Sequence, residues 1–112
     1  MALFSEPDPG AMTARLQLQK PVETADGEGG VTRSWETLTT VWGRVTPLTT
    51  RYDAEGETEI AYVSQAVTIR YREDVARGQR LLLGARSLTV RALSDPDGRR
   101  RFLVLDCEEA MP

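Results

Sequence analysis

The chain has 112 residues, a length that suits a single domain with one modest hydrophobic core. Its 14 basic and 17 acidic residues give a net charge of -3, which argues against a protein that binds nucleic acid tightly by neutralising phosphates. It has no histidine and one cysteine, so the commonest general base and metal ligand is missing and an internal disulfide is excluded.

Residues 1–13 are predicted to form a flexible N-terminal arm, because prolines and a glycine lie there among acidic residues. Only Leu3 and Phe4 could anchor this arm, which could become ordered on a partner or stay disordered. The chain start lacks the basic residues and the long apolar stretch of a secretory signal. Apolar runs elsewhere span only a few residues, so we expect a protein that is made in the cytoplasm and does not span a membrane.

The remaining residues, 14–112, are predicted to form a single β-domain. Apolar and polar residues alternate over residues 15–22, 31–38 and 41–48, a pattern typical of half-buried strands. Pro47 cannot donate a backbone hydrogen bond, so we expect it to end the third strand or to lie on a sheet edge.

The alternation stops over residues 48–64, which are polar and acidic with Gly56 near their middle. This segment could be a long loop, a projecting hairpin or a poor short helix, and long unpatterned segments are often functional. Its alternating carboxylates suggest a calcium site, but the glycine placement and final glutamate of an EF-hand loop are missing, so a solvated acidic loop is favoured. The carboxylates are those of Asp53, Glu55, Glu57 and Glu59.

Four further strands are predicted in the second half of the chain. They cover residues 66–72, 80–83, 87–93 and 100–107. Gly84 opens a two-residue loop between two of them, which predicts a type II′ hairpin. Cys107 lies on the apolar face of the last strand, which predicts a buried structural thiol. The predicted fold class is therefore all-β, a small antiparallel barrel or sandwich of about six to seven short strands with one long projecting loop.

No residue pattern indicates catalysis. Without histidine a serine or cysteine nucleophile lacks its usual base, and Lys20 is the only lysine available for a Ser–Lys pair. The glycines of residues 27–30 join two predicted strands and match neither of the common phosphate-binding glycine motifs. We therefore expect a protein that is not an enzyme and that has no cofactor and no metal site.

Several segments of the patterned region follow one another in a recognisable order. They are residues 15–21 (RLQLQKP), 26–30 (DGEGG) followed by Trp35, 41–48 (VWGRVTPL), 67–72 (VTIRYR), 78–83, 88–93 and 103–109 (LVLDCEE). In this order they resemble the phage head–tail adaptor family, also known as head-completion or stopper proteins, which has relatives in gene transfer agents. The sequence departs from the family at Gly43, where alanine is usual, and in the extension before Met12.

This resemblance implies a structural virion protein that forms a ring at the head–tail junction, below the portal and its adaptor. The ring would extend the DNA channel, close it after packaging and offer a docking surface to the tail. The implied partners are identical subunits, the portal-associated adaptor, a tail terminator or tail tube protein, and genomic double-stranded DNA that passes without sequence-specific binding. In the family the segment between the third and fourth strands projects toward the channel, and here that would be residues 48–64.

The composition of residues 48–64 is compatible with a channel loop. The four carboxylates would repel DNA phosphates, and Gly56 would permit a bend between closed and open states. Apolar side chains would pack between neighbouring loops as a plug. These are the side chains of Ile60, Tyr62 and Val63.

Ring closure requires a head-to-tail interface, for which outward-facing residues of the strands are candidates. The candidates are Trp42, Arg44, Arg70 and Arg72. The only basic run, Arg99, Arg100 and Arg101, could contact phosphate or an acidic partner, or could keep a strand edge soluble. The alternatives to a connector protein are a small β-barrel that binds nucleic acid and a neighbouring virion protein of the tail-terminator type.

Overall fold

The computed structural model describes residues 6–111, which contain six β-strands and one short 3-10 helix. The elements are a 3-10 helix Pro9–Ala11 and the strands β1 Ala14–Ala25, β2 Val31–Glu55, β3 Thr58–Arg70, β4 Arg80–Leu83, β5 Arg86–Ser94 and β6 Phe102–Met111. Within residues 6–111 no helix is long and apolar enough to cross a membrane.

The six strands form one closed antiparallel barrel with the order β1-β2-β3-β6-β5-β4. The barrel closes because β4 pairs with β1, where Leu18 lies opposite Leu81. The predicted all-β fold class is therefore confirmed. The hairpin predicted at Gly84 is also present: β4 and β5 are joined by two residues, Leu83 pairs with Arg86, and Gly84 has a φ of 60°.

Strand β2 is a single strand of 25 residues, so the prediction of two separate strands over 31–38 and 41–48 was wrong. Fully extended, a strand of this length would span roughly 80 Å at about 3.3 Å per residue. The longest dimension of the molecule is only 49 Å, so β2 must bend. Its register shifts against β1 beside Leu38 and against β3 between Pro47 and Thr50, and such bulges bend a strand while keeping it paired.

The two ends of β2 extend beyond the barrel as two-stranded projections. Strand β4 pairs with β1 no further than Gln19, and β3 pairs with β2 from Gly43 onward. Residues 20–36 therefore form one projection, which we call the β1–β2 arm. At the other end β6 accompanies β3 as far as Ala61, so only residues 53–60 are two-stranded. We call residues 50–63, which contain this second projection, the β2–β3 hairpin.

The core of the barrel consists of the apolar residues that alternate along the strands. The side chains that are almost fully buried are Leu16, Leu18, Val67, Ile69, Leu81, Leu88, Val90, Leu105 and Cys107. Burial of one such aliphatic side chain contributes about 1.5–3 kcal/mol. Burial also raises the pKa of the Cys107 thiol to about 12, so the predicted buried structural thiol is confirmed.

Gly43 lies where two strands approach each other closely. A β-carbon at this position would lie 2.8 Å from the backbone oxygen of Thr68 and 3.2 Å from a methyl group of Leu16. The departure from the family's alanine therefore has a physical reason, because β2 passes too close to β3 for a methyl group.

Residues 6–13 lie against the barrel. Pro7 and Met12 are buried, and the carboxylate of Glu6 accepts a hydrogen bond of 2.9 Å from Arg101. The predicted anchors Leu3 and Phe4 lie outside the described residues. The flexibility of residues 1–13 concerns motion and stays a prediction.

Candidate functional site

The acidic segment 48–64 forms the β2–β3 hairpin. Of the three conformations left open by the sequence, the structure has the projecting hairpin, with Glu55 opposite Thr58 and a two-residue turn at Gly56 and Glu57. Gly56 has a φ of 66°, a conformation that glycine adopts without strain and that suits the first position of a type II′ turn. The segment thus has a defined shape, and its position in a channel stays a prediction.

The strand register divides the predicted loop residues between two faces of the β2–β3 hairpin. One face carries Asp53 opposite Ile60, with Tyr62 opposite Arg51. Glu55 shares this face by its backbone position, and its side chain lies outside the described part of the chain. The other face carries Glu59 and Val63 together with Tyr52, which is 65% exposed. Tyr52 was not identified as a candidate residue in the sequence analysis. Tyr52 alternates with Arg51 and Asp53 along the strand and therefore lies on the opposite face of the hairpin.

The charges at the hairpin are only partly compensated. The guanidinium of Arg51 contacts the carboxylate of Asp53 and lies 3.5 Å from that of Glu108, and these contacts raise the pKa of Arg51. Glu57 and Glu59 are exposed, and within residues 6–111 neither forms an ion pair. The turn of the hairpin therefore presents carboxylates to solvent.

A buried carboxylate lies near the root of the hairpin. Glu109 is 3% exposed and accepts two hydrogen bonds from Arg86, of 2.7 Å and 2.8 Å. Gln65 donates a third bond of 3.3 Å, and the guanidinium of Arg86 holds the pKa of Glu109 below its usual range. The adjacent carboxylate of Glu108 accepts hydrogen bonds from two other arginines, one on β2 and one on β5. The two neighbouring glutamates thus connect β6 to β2, β3 and β5, and they do not face each other across a cleft.

Three arginines surround an exposed tryptophan on the outer face of the barrel. Trp42 is 55% exposed and lies opposite Arg15 of β1 in the register. Arg44 is two residues further along β2, and Arg70 follows Ile69, which pairs with Gly43, so both point to the same face. We call these four residues, Arg15, Trp42, Arg44 and Arg70, the Trp42 surface. It unites three predicted contact residues with Arg15, whose place beside Trp42 depends on a register that one sequence does not reveal.

A cleft of about 380 Å³ adjoins the Trp42 surface. The cleft is lined by residues 40–42 on one side, by residues 70–72 on the other, and by Met12 of the N-terminal segment. Arg72 forms two hydrogen bonds of 2.9 Å with Asp74, which raise the pKa of Arg72 and lower that of Asp74. This predicted contact residue is therefore fixed within its own chain.

The basic run lies in the turn between β5 and β6 and not on the Trp42 surface. The guanidinium of Arg101 lies 2.7 Å from Asp97 and 2.9 Å from Glu6, so it is paired within the chain. The backbone N–H of Arg99 and that of Arg100 donate to aspartates of the same turn, while their side chains are exposed. Within the described chain, therefore, Arg99 and Arg100 are the two arginines of this run whose guanidinium groups form no ion pair.

Two features of the described residues concern metal binding and thiol chemistry. Within residues 6–111 no group of three or more carboxylate or thiol side chains is placed to hold a metal ion. The one cysteine is buried with a raised pKa, so its reactive thiolate form is disfavoured.

Comparison with known proteins decides the family. Residues 7–110 match the sequence model of the phage head completion proteins. The chain belongs to the phage head completion protein family. Members of this family are structural proteins of the virion, so the resemblance and the predicted virion location are confirmed. No curated protein sequence matches the chain.

Two solved structures are similar to this family member. A chain of the virion of a native gene transfer agent particle has 26% sequence identity and a TM-score of 0.75, with 87% of this chain and 93% of that chain covered. A protein from Shigella flexneri 2a, solved in solution, has 24% identity and a TM-score of 0.66, with 92% and 96% covered. The first likeness supports a structural role in a phage-like particle, and the second concerns the fold alone.

Proposed function

We propose that this chain forms a ring in the head–tail connector, below the portal and its adaptor. The ring extends the DNA channel, closes it after packaging and provides the surface on which the tail docks. The observation that carries this proposal is the β2–β3 hairpin, an acidic two-stranded projection on a closed barrel of the head completion family.

The charge of the hairpin suits a channel through which DNA slides. Glu57 and Glu59 lie at the far end of the projection and are exposed. Charges act over about 8 Å at physiological ionic strength, so carboxylates at the tip repel phosphates that come within that distance. Because every copy in a ring contributes the same carboxylates, the lumen is lined with negative charge and DNA passes without being held.

The weak attachment of the β2–β3 hairpin suits a segment that moves relative to the barrel when the channel opens and closes. Beyond Ala61 only two strands pair, and an isolated two-stranded ribbon is marginally stable in water. The ion pair of Arg51 with Glu108 at the root of the hairpin is partly exposed, so solvent screens the attraction between the two charges. Exposed Tyr52 offers an apolar contact to neighbouring hairpins in a closed ring. Opening and closing therefore cost little within one subunit.

Ring formation requires two different complementary surfaces on each subunit. The Trp42 surface is basic and the β2–β3 hairpin is acidic, so the chain carries surfaces of opposite charge. The adaptor is the partner on the head side, and a tail terminator or tail tube protein is the partner on the tail side.

The experiment that tests the connector position is electron microscopy of particles from a strain that lacks the gene. We expect tailless heads that have lost DNA beside free tails. Normal, fully tailed particles would contradict the proposal.

The channel position of the hairpin is tested by charge reversal. Particles with Glu57→Lys and Glu59→Lys together should release DNA more slowly, because lysines at the tip attract phosphates. The matched control is Glu23→Lys with Glu28→Lys, which places the same charges on the β1–β2 arm. Equal release rates for both variants and the wild type would refute the channel position while leaving the connector position intact.

A further inference from the structure

Among the residues that the structure describes, one edge of β2 has no neighbouring strand. Within residues 6–111, β2 from Val31 to Trp42 pairs only with β1, and β3 begins to pair at Gly43. No other backbone hydrogen bond in the described chain reaches this edge. The backbone groups that point away from β1 are therefore available to another strand.

The amino-acid composition of this strand edge differs from that of two other free strand edges in the described chain. The free edge of β1 over residues 20–25 contains Pro21, and the free edge of β2 over residues 44–55 contains Pro47 beside a register shift. Prolines and bulges are devices by which proteins prevent strands from adding to an edge. Residues 37–42 (TLTTVW) contain neither proline nor a charged side chain. Apart from the register shift beside Leu38, this edge is open to pairing.

The open edge leads into the cleft beside the Trp42 surface. Thr40, Val41 and Trp42 belong both to the unpaired edge and to the wall of the cleft. The cleft volume of about 380 Å³ falls in the range of ligand pockets, roughly 300–1,000 Å³. A strand that pairs with this edge would therefore place side chains into a preformed recess.

The charge around the cleft indicates what kind of strand fits. Within residues 6–111, Arg15, Arg44 and Arg70 form no ion pair with a carboxylate. The Nε atom of Arg44 is buried and has no hydrogen-bond partner in the described chain. Arg72, which lines the cleft, is already paired, because it donates two hydrogen bonds to the carboxylate of Asp74. The surface therefore complements a partner that brings its own carboxylates.

We propose that residues 37–42 of β2 accept an extended acidic segment of a partner protein as an added strand. Backbone hydrogen bonds to the edge provide affinity, and alternate side chains provide specificity. Carboxylates two residues apart on the segment reach the arginines of the Trp42 surface, and a large apolar side chain enters the cleft. This site lies on the outer face of the barrel and does not depend on where the β2–β3 hairpin points.

The test is the selection of 12-residue peptides from a random displayed library on the purified full chain at physiological salt. We expect the enriched peptides to carry Asp or Glu at alternate positions and one large apolar residue. Bound peptide should slow hydrogen exchange of the backbone amides of residues 37–42. Arg70→Glu and, separately, Arg15→Glu should each weaken binding by about tenfold or more. The matched control is Arg77→Glu, an exposed position that does not line the cleft.

Several outcomes would overturn the proposal. Failure to enrich any peptide, enrichment of basic or uncharged peptides, or protection of amides elsewhere would each contradict it. Protection of residues 37–42 that rises with protein concentration alone would identify a second copy of the chain as the occupant. Binding of a single-stranded oligonucleotide at the same salt, lost in both charge-reversal variants, would identify the Trp42 surface as a nucleic-acid site. The position of the chain in the connector is tested separately on particles, whereas a second copy on this edge would identify residues 37–42 as part of the interface between ring subunits.

Discussion

Removal of Arg86 should destabilise the barrel by leaving a buried carboxylate without its cation. In the wild type Glu109 is 3% exposed and its carboxylate accepts two hydrogen bonds from Arg86, at 2.7 Å and 2.8 Å. Breaking a fully buried ion pair costs about 3–5 kcal/mol. The side chain of Arg86 is 46% exposed, so water screens the pair, and we expect Arg86→Ala to cost about 1–3 kcal/mol.

The pH dependence of stability provides the signature of this mechanism. The pKa of Glu109 is lowered in the folded state, so the pair stabilises the wild type above the unfolded-state pKa of about 4.3, and that contribution is lost as pH falls through the folded-state value. In Arg86→Ala the hydrogen bonds from Arg86, the main cause of the lowered pKa of Glu109, are absent. Burial of the carboxylate then raises the pKa of Glu109. The variant should therefore lose less stability than the wild type when the pH is lowered.

Urea unfolding of the purified chain at pH 7 and at pH 4 measures both effects. The control is Arg91→Ala, because Arg91 is 55% exposed and bonds at 3.3 Å to the more accessible Glu108, which predicts a loss below about 1 kcal/mol. Adding Glu109→Gln to Arg86→Ala should restore part of the loss, since the uncompensated charge disappears. Equal losses for Arg86→Ala and Arg91→Ala, with parallel pH profiles, would refute the reasoning.

Two further predictions concern the core. Gly43→Ala should lower the free energy of unfolding by about 1–3 kcal/mol, measured by thermal denaturation, because the added methyl group would lie 2.8 Å from the oxygen of Thr68. Gly10→Ala is the control, since nothing lies within 4 Å of a β-carbon there, and an equal effect of the two changes would contradict the close approach. Cys107 should react with a thiol reagent at pH 8 only after unfolding, because the thiol is buried and its pKa is about 12. Rapid labelling of the native chain would contradict this burial.

The barrel core was predictable because one face of each barrel strand is buried. Leu16 and Leu18 alternate with polar residues, and the same period places Cys107 inside. This signal fails over the β2–β3 hairpin, because both faces of that projection are largely exposed and neither requires apolar residues. The β2–β3 hairpin therefore looked unpatterned, although Gly56 and Glu57 form the same kind of two-residue turn that was recognised at Gly84.

The composition of the Trp42 surface depended on information that a single sequence does not contain. Trp42, Arg44 and Arg70 were recognisable as outward-facing residues from alternation. Arg15 joins them because β1 pairs with β2 in one particular register. The pair of Arg86 with Glu109 is likewise formed across strands 23 residues apart and leaves no local pattern. Alternation thus predicts which way a side chain points, whereas the neighbours of that side chain follow from the pairing of strands.

The continuity of β2 has a mechanical consequence. The β1–β2 arm and the β2–β3 hairpin are opposite ends of one 25-residue strand, so a load on one end is carried to the other by backbone bonds. The strand cannot slide in its ladder by one residue, because that would turn Val41 out of the core. Tension can therefore be relieved only by bending, and the strand bends at its two register shifts, beside Leu38 and between Pro47 and Thr50. A partner protein that binds the β1–β2 arm and pulls on it would thereby tilt the acidic tip of the β2–β3 hairpin.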